Sequence, residues 1–427
     1  MTRKQIFIII GGVTAIIIVL FFFGGRGVGP SPAVLTIWSV FDDVDIFSEV
    51  FEKYQKANKH ITIKYEKKDF AEYEKELVNA FAIDQGPDIL LIHNTWLPKH
   101  KNKLNEVSLE LISFVDFKNQ FVDVVEKDFT EDQKIYALPL YVDTLALYYN
   151  KDYLNSAGIS NPADTWEDII EDLNKLVKRD QFGGIERAGM AIGTAENINR
   201  STDILGLLML QNGTKMVSDD KSQTSLDDSV LLDGNSYYPG RDALRFYTDF
   251  ASPAKRSYTW NRQMPYSIDA FIEGRAAMML NYSYNIPIIK EKAPYLNFEV
   301  SYAPQIQGRA FDVNYANYWG FAVSKKSKAI NEAWKLILYL TNRENSRTYL
   351  ETTRKPTARK DLVDLQKDDL ELGVFVNQSL TAQSWYQIDN NTIETILAEA
   401  IESIILGSAT VNRSMETTVE KINLLMK

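Results

Sequence analysis

Two periods of apolar spacing organise this chain. Val34–Trp38 (VLTIW) is a short β-favouring run, and DIFSEVFEKYQKA follows with Phe47, Val50, Phe51 and Tyr54 at helical spacing. ITIKYE predicts a second strand. EYEKELVNAFAID predicts a second helix with Leu77, Val78 and Phe81 on one face, and PDILLI (Pro87–Ile92) a third strand. Strand, helix, strand, helix, strand in close succession means βαβ units and a mostly parallel sheet. Ligands sit beyond the carboxyl ends of such strands. Here those ends are WSVFDD and HNTWLP.

Further on, LPLYVDTLALYYNK (Leu138–Lys151) reads as a buried extended segment, yet it carries Asp143 among Tyr141, Tyr148 and Tyr149. A hydrogen-bonded core carboxylate is the plainer reading and a ligand groove the sharper one. NPADTWEDIIEDLNKLVKR starts a helix with Thr165 and Asp168 as a capping box. Its buried stripe is Trp166, Ile169, Ile170, Leu173, Leu176 and Val177. The polar stretch 217–240 reads as a surface hairpin or loop. NNTIETILAEAIESIILG is amphipathic, with Ile393, Ile396, Leu397, Ala400, Ile401, Ile404 and Ile405 in register. No internal repeat is visible.

Length and composition narrow the function classes. At 427 residues the chain has room for two or three domains, or for two lobes woven from one chain. A net charge of −10 without a basic block argues against nucleic acid. The absence of cysteine removes disulfides, thiol catalysis, thiolate metal sites and a lipid-modified cysteine. Arg3 and Lys4 precede an uncharged apolar run, Ile6–Phe23, long enough to span a bilayer. The flanking charges place the N-terminus inside and the rest outside. GGRGVGPSPAV offers only poor cleavage sites, so an uncleaved transmembrane anchor is favoured over a cleaved signal. Residues 1–33 then form the membrane anchor and a flexible linker.

Catalytic signatures are missing. Only three histidines occur, His60, His93 and His100, so a His-rich metal site is not available. No phosphate-loop, nucleophile-elbow, zinc-protease or dinucleotide motif appears. The acidic loops Asp42–Asp45 and Asp227–Gly234 lack calcium-loop spacing. Paired carboxylates of a glycosidase are not marked. The reading is of a non-enzyme with no catalytic residue, metal or cofactor.

Aromatic residues recur at the predicted strand ends and loops instead: Trp38, Trp96, Tyr141, Tyr282, Tyr284, Trp319, Trp385 and Tyr386. Each alone is more often packing than function. Their neighbours change that balance, because Asp42 and Asp43 follow Trp38, Asn94 and Thr95 precede Trp96, and Asp143 lies close to Tyr141. Flat apolar faces beside carboxylates and amides suit a sugar, whose C–H faces stack while its hydroxyls form hydrogen bonds.

Several segments also carry a family likeness. IYALPLYVDTLALYYNKDYLNSAGISNPADTWEDIIEDLNKL, AFIEGRAAMMLNYSYNI and YWGFAVSKKSKAINEAWKLILYLTNRENSRTYLETTRKPTARKDL occur in that order, after GPDILLI. Together they resemble the extracellular solute-binding proteins of bacterial ABC importers, of the carbohydrate type that includes the maltose-binding protein. The likeness runs from Val34 to the C-terminus. It implies an α/β, two-lobed periplasmic-binding-protein fold with hinge-linked lobes and a ligand cleft between them. The implied division is 34–138 plus 285–319 for the first lobe and 139–284 plus 320–427 for the second. Crossings are then expected near Leu138–Asp143, Asn281–Asn285 and Trp319–Phe321.

The resemblance implies ligand contacts at Asp42 or Asp43, at Asn94, Thr95 or Trp96, and at the hinge carboxylate Asp143. It also implies stacking aromatics at Tyr284 and Trp385, with Trp319 at the last crossing and Arg354 near the cleft. The implied partners are a carbohydrate and the permease subunits of an ABC transporter, to which a monomer tethered outside the cell membrane hands its ligand. Two departures stand out: there is no cysteine for lipid attachment, and Tyr284 stands where the family has tryptophan. A sensor or adhesin on the same fold, or a binding protein for a polyamine or peptide, remains open from the residues alone.

Overall fold

The computed structural model describes residues 31–232 and 234–427. The apolar run Ile6–Phe23 lies outside them; among the described residues no helix is long and apolar enough to cross a membrane.

The N-terminal periodicity becomes β1 (Ala33–Ser39), α1 (Val44–Ala57), β2 (Ile61–Lys67), α2 (Tyr73–Ala82) and β3 (Ile89–His93). β1 pairs in parallel with both β2 and β3. α1 buries Phe47, Val50, Phe51 and Tyr54, as its spacing requires. α2 buries Tyr73, Leu77, Ala80 and Phe81. Val78 is 39% exposed, because the i, i+4, i+7, i+8 stripe set by Tyr73 passes it by.

Beyond these come β4 (Leu104–Asn105), β5 (Ala137–Pro139), β6 (Asp143–Thr144) and β7 (Ala146–Asn150), so the long extended segment is three strands rather than one. α3 (Trp166–Leu176) follows. Thr165 caps it through the N–H of Asp168 (3.2 Å), while the Asp168 carboxylate takes the Thr165 hydroxyl (2.7 Å). Next are α4 (Ser201–Gln211), β8 (Met278–Asn281), β9 (Phe298–Ser301), β10 (Asn314–Asn317), β11 (Trp319–Ser324), β12 (Ala382–Gln383) and α5 (Asn390–Ile405). The polar stretch contains a small hairpin, 230–232 against 235–237.

Three sheets give the architecture. The first is six-stranded, ordered β2-β1-β3-β11-β4 with β5 also on β11, which runs antiparallel to β3. In the second, β7 lies between antiparallel β8 and β9, with every β7 residue buried. The third is the short sheet β12-β10-β6, which joins the lobes.

Two apolar cores confirm two lobes and redraw their borders. One core runs from Leu35 to Val142, resumes at Ala316, continues to Leu362 and takes in Ala382 of β12. The other runs from Leu145 to Tyr315 and resumes at Phe375. The expected borders at 285 and 320 do not match this packing. Ile286 and Ile289 pack into the second core, and Phe321, Trp334 and Leu350 into the first. The reason is strand pairing: β11 completes the first sheet, so the helices after it fold back onto that lobe. The chain crosses at Val142–Leu145, at Tyr315–Ala316 and between Leu362 and Phe375. It does not cross at Asn281–Asn285, where Leu280, Tyr282 and Ile286 all share the second core.

Candidate functional site

A cavity of about 540 Å³ lies where the two lobes meet over β6 and β10. Its first-lobe wall is aromatic. Trp319, at the start of β11, meets Trp96 at 4.9 Å and Phe41 at 5.5 Å, both edge-on. Phe70 lies 5.5 Å from Phe41. Phe41 and Phe70 are 41% and 55% exposed, so the wall presents apolar ring surface to the cavity. Such exposed apolar area, rimmed by polar groups, marks a binding surface.

Beside this wall the Asp42 carboxylate accepts hydrogen bonds from Lys355 (2.8 and 3.0 Å) and from the Tyr349 hydroxyl (2.7 Å). The Lys355 ammonium stands 4.7 Å from the Tyr141 ring centre. His93 is buried with its Nδ1 2.8 Å from the Thr95 hydroxyl. Burial, with the Arg200 charge nearby, pushes its imidazole down to about 3, so it is neutral.

Asp143 sits on the hinge itself. Its cross-strand partner is Asn317, which also lines the cavity. Its carboxylate accepts the Ser283 N–H (3.0 Å), the Ser283 hydroxyl (2.7 Å) and the Thr144 N–H (2.9 Å). Burial pushes the carboxyl up to about 6 against these donors. Asp143 is a hydrogen-bonded buried acid, and it also borders the cavity.

The second lobe supplies a polar rim. Tyr284 is 40% exposed and stacks on buried Tyr282 (5.9 Å, 23°). Tyr282 turns its hydroxyl away from the cavity to Asp203 (2.8 Å). Arg200 donates from Nε to the Tyr284 hydroxyl (3.2 Å) and lies 4.0 Å from the Asp203 carboxylate. Its backbone is left-handed (φ 61°) where it precedes α4. The N-terminal end of α5 adds Asn390, Asn391 and Glu394. The two lobes also touch directly: Lys99 bridges Glu74 and Asp389 (2.7 Å each), and Asn391 donates to Glu74 (3.1 Å).

Of the residues singled out in the sequence, the cavity brings together Asp42, Trp96, Tyr141, Asp143, Tyr284 and Trp319. Trp38 is instead buried in the first core, with the Lys68 ammonium 3.9 Å from its ring centre. Asp43 points to solvent and pairs with Lys67 (3.0 Å). Arg354 pairs with Asp369, and its neighbour Lys355 faces the cavity. Asn94, Thr95, Trp385 and Tyr386 line a second cavity, also about 540 Å³. There Asp128 accepts hydrogen bonds from Tyr318 (2.8 Å), Asn94 (3.0 Å) and Ser384. Asn94 is thereby committed to Asp128, which burial holds up at about 6.

A family model for bacterial extracellular solute-binding proteins matches residues 49–372, most of the chain. The chain belongs to this family. A binding protein of Brucella abortus (strain 2308) is 23% identical over 394 residues, covering 89% of this chain and 90% of its own. The maltodextrin-binding protein MdxE of Bacillus subtilis is 25% identical over 382 residues, covering 86% and 82%. The solved cyclic α-maltosyl-1,6-maltose binding protein of Arthrobacter globiformis superposes with a TM-score of 0.76 at 16% identity, covering 93% of this chain and all of that one. The two-lobed fold of this solute-binding protein is the fold of that structure.

Several cleft residues of the solute-binding protein escaped the sequence reading: Phe41, Phe70, Arg200, Lys355 and Glu394. Phe41 had a signal, since it sits inside WSVFDD at the end of β1. Glu394 reads as the solvated face of an amphipathic helix, and only the opposing lobe makes that face a wall.

Proposed function

We propose that this chain captures a carbohydrate between its lobes and delivers it to the permease of an ABC importer. The observation that carries this reading is the two-sided cleft, with aromatic rings beside Asp42 and Glu74 on the first lobe and Tyr284, Arg200, Asn390, Asn391 and Glu394 on the second. A sugar ring has the matching halves, with C–H faces for Trp319, Phe41 and Tyr284 and hydroxyls for Glu394, Asn390 and Arg200. The binding of maltodextrin by the Bacillus subtilis relative supports the same class of ligand. Lobe closure about the β12-β10-β6 hinge would desolvate the ring. In this proposal the apolar run Ile6–Phe23 tethers the protein to the outer face of the cell membrane.

The test is a thermal-shift and calorimetric screen of the full-length chain against saccharides, polyamines and peptides. A saccharide at one hundred times its Kd should add about 2.7 kcal/mol of stability. A response to polyamines or peptides alone would overturn the carbohydrate reading. The position of Trp385 yields a second expectation. Trp385→Ala should change the affinity for that saccharide by less than about threefold, within the range of a residue outside the interface centre. Titration calorimetry of the variant reads this directly, and a loss comparable to that of Tyr284→Ala would move the site to the second cavity.

A further inference from the structure

Glu394 differs from the other carboxyls around the cleft. Among the described residues, its hydrogen-bond partner is the Asn390 amide alone (3.1 Å). Asp42 is held by Lys355 and Tyr349, and Asp143 by Ser283 and Thr144. Glu74 is held by Lys99, His100 and Asn391. Glu394 therefore keeps acceptor capacity open toward the cavity it lines. Arg200 lines the same cavity and complements it. Its Nε is used by Tyr284, while its terminal nitrogens have no hydrogen-bond partner among the described residues and lie at best 4.0 Å from Asp203.

An open acceptor and an open donor lining one cavity match two hydroxyls of one sugar, one donating and one accepting. We infer that Glu394 and Arg200 are the specificity-determining pair of the cleft, selecting neutral saccharides with two free hydroxyls. This rests on the carbohydrate reading above and narrows it. A uronate is disfavoured because four carboxyls, Asp42, Glu74, Asp143 and Glu394, line the cavity against two cations, Arg200 and Lys355. An ammonium group at Glu394 would meet the Arg200 charge.

Proton linkage follows from the same contacts. The charged and titratable groups around Glu394 are Arg200, Asp203, Tyr282 and Tyr284 from its own lobe. Tyr315 on β10, Tyr141 and Asp143 at the hinge, and His93, Glu74, Asp42 and Lys355 across the cleft complete the set. Burial, reinforced by Asp203 and opposed by Arg200, holds the Glu394 carboxyl up at about 7. A hydroxyl donor binds its ionised form, so capture expels a proton when the free protein holds one. Affinity then falls by up to about tenfold per pH unit below about 7. His93 stays neutral in that range, while Asp143, raised to about 6, titrates at its lower edge.

The test uses the full-length chain and whichever of maltose, maltotetraose and a galactooligosaccharide binds most tightly. Affinity is measured by titration calorimetry at about pH 6 and about pH 8, in buffers of different protonation heat. Wild type should bind about tenfold more weakly at the lower pH and release a proton. Glu394→Gln should bind at least about tenfold more weakly than wild type at the higher pH, and its affinity should vary less with pH than that of wild type. Arg200→Lys, which keeps the charge but loses the fork, should also weaken binding, and a galacturonate oligomer should not bind wild type. If Glu394→Gln keeps the wild-type affinity and pH profile while Tyr284→Ala loses binding, the pair is overturned and the carbohydrate function stands. If wild type binds no saccharide of the screen above, the carbohydrate reading fails and the pair with it.

Discussion

Asp143→Ala is expected to destabilise the protein by about 2–4 kcal/mol, read as a lower denaturant midpoint of the full-length chain. The alanine leaves the Ser283 N–H, the Ser283 hydroxyl and the Thr144 N–H without their acceptor in a buried site. Asp143 also lies on the strand where the chain passes between cores, and Ser283 belongs to the second lobe's segment. The loss should therefore loosen the lobes relative to each other as well as unfold more easily. The pH dependence has a definite sign. The folded pKa is raised, to about 6, so the stabilising contribution is fully present below the ordinary carboxyl value, about 4, and is lost as pH rises through about 6. The cost of Asp143→Ala should accordingly be larger at about pH 5 than at about pH 8. A variant as stable as wild type at both would show that the hinge does not depend on this acceptor.

Trp319→Ala carries the second large expectation. Trp319 is 6% exposed and touches Phe41, Phe70, Tyr73, His93 and Trp96. Removing the indole should cost about 3–5 kcal/mol of stability, because the surrounding rings are held by other strands and cannot all collapse into the gap. Saccharide affinity should fall with it, since Phe41 and Phe70 lose the ring that orients them. Tyr284→Ala separates the two effects. Tyr284 is partly exposed, so its truncation should leave the denaturation midpoint near that of wild type while weakening saccharide binding by about 2 kcal/mol, roughly thirtyfold in Kd. Calorimetric titration of both variants checks this; full affinity in Tyr284→Ala would remove the second-lobe rim from the site.

The sequence by itself determined the local elements and the strand ends that border the cavity. Period-two and period-3.6 spacing produced β1, α1, β2, α2 and β3, and the expectation of a parallel sheet put Asp42 and Trp96 beyond strand ends, where the cavity is. An acid in the apolar Leu138–Lys151 segment stood out, because a buried carboxylate needs donors that a plain core strand does not offer, and the family likeness put it at a hinge. The family likeness pointed to two lobes. Tertiary structure alone decided how the chain divides between them, since β11 could have closed either sheet and its pairing with β3 sent Trp334 and Leu350 to the first core. It also decided which aromatics meet. Trp38 and Trp385 carry the same local signals as Trp96 and Trp319, yet one faces a core and the other a second cavity. Periodicity reports that a face is apolar or polar, not what stands opposite. For that reason Arg200 and Glu394, polar residues on helix termini, become cleft residues only when the two lobes are brought together.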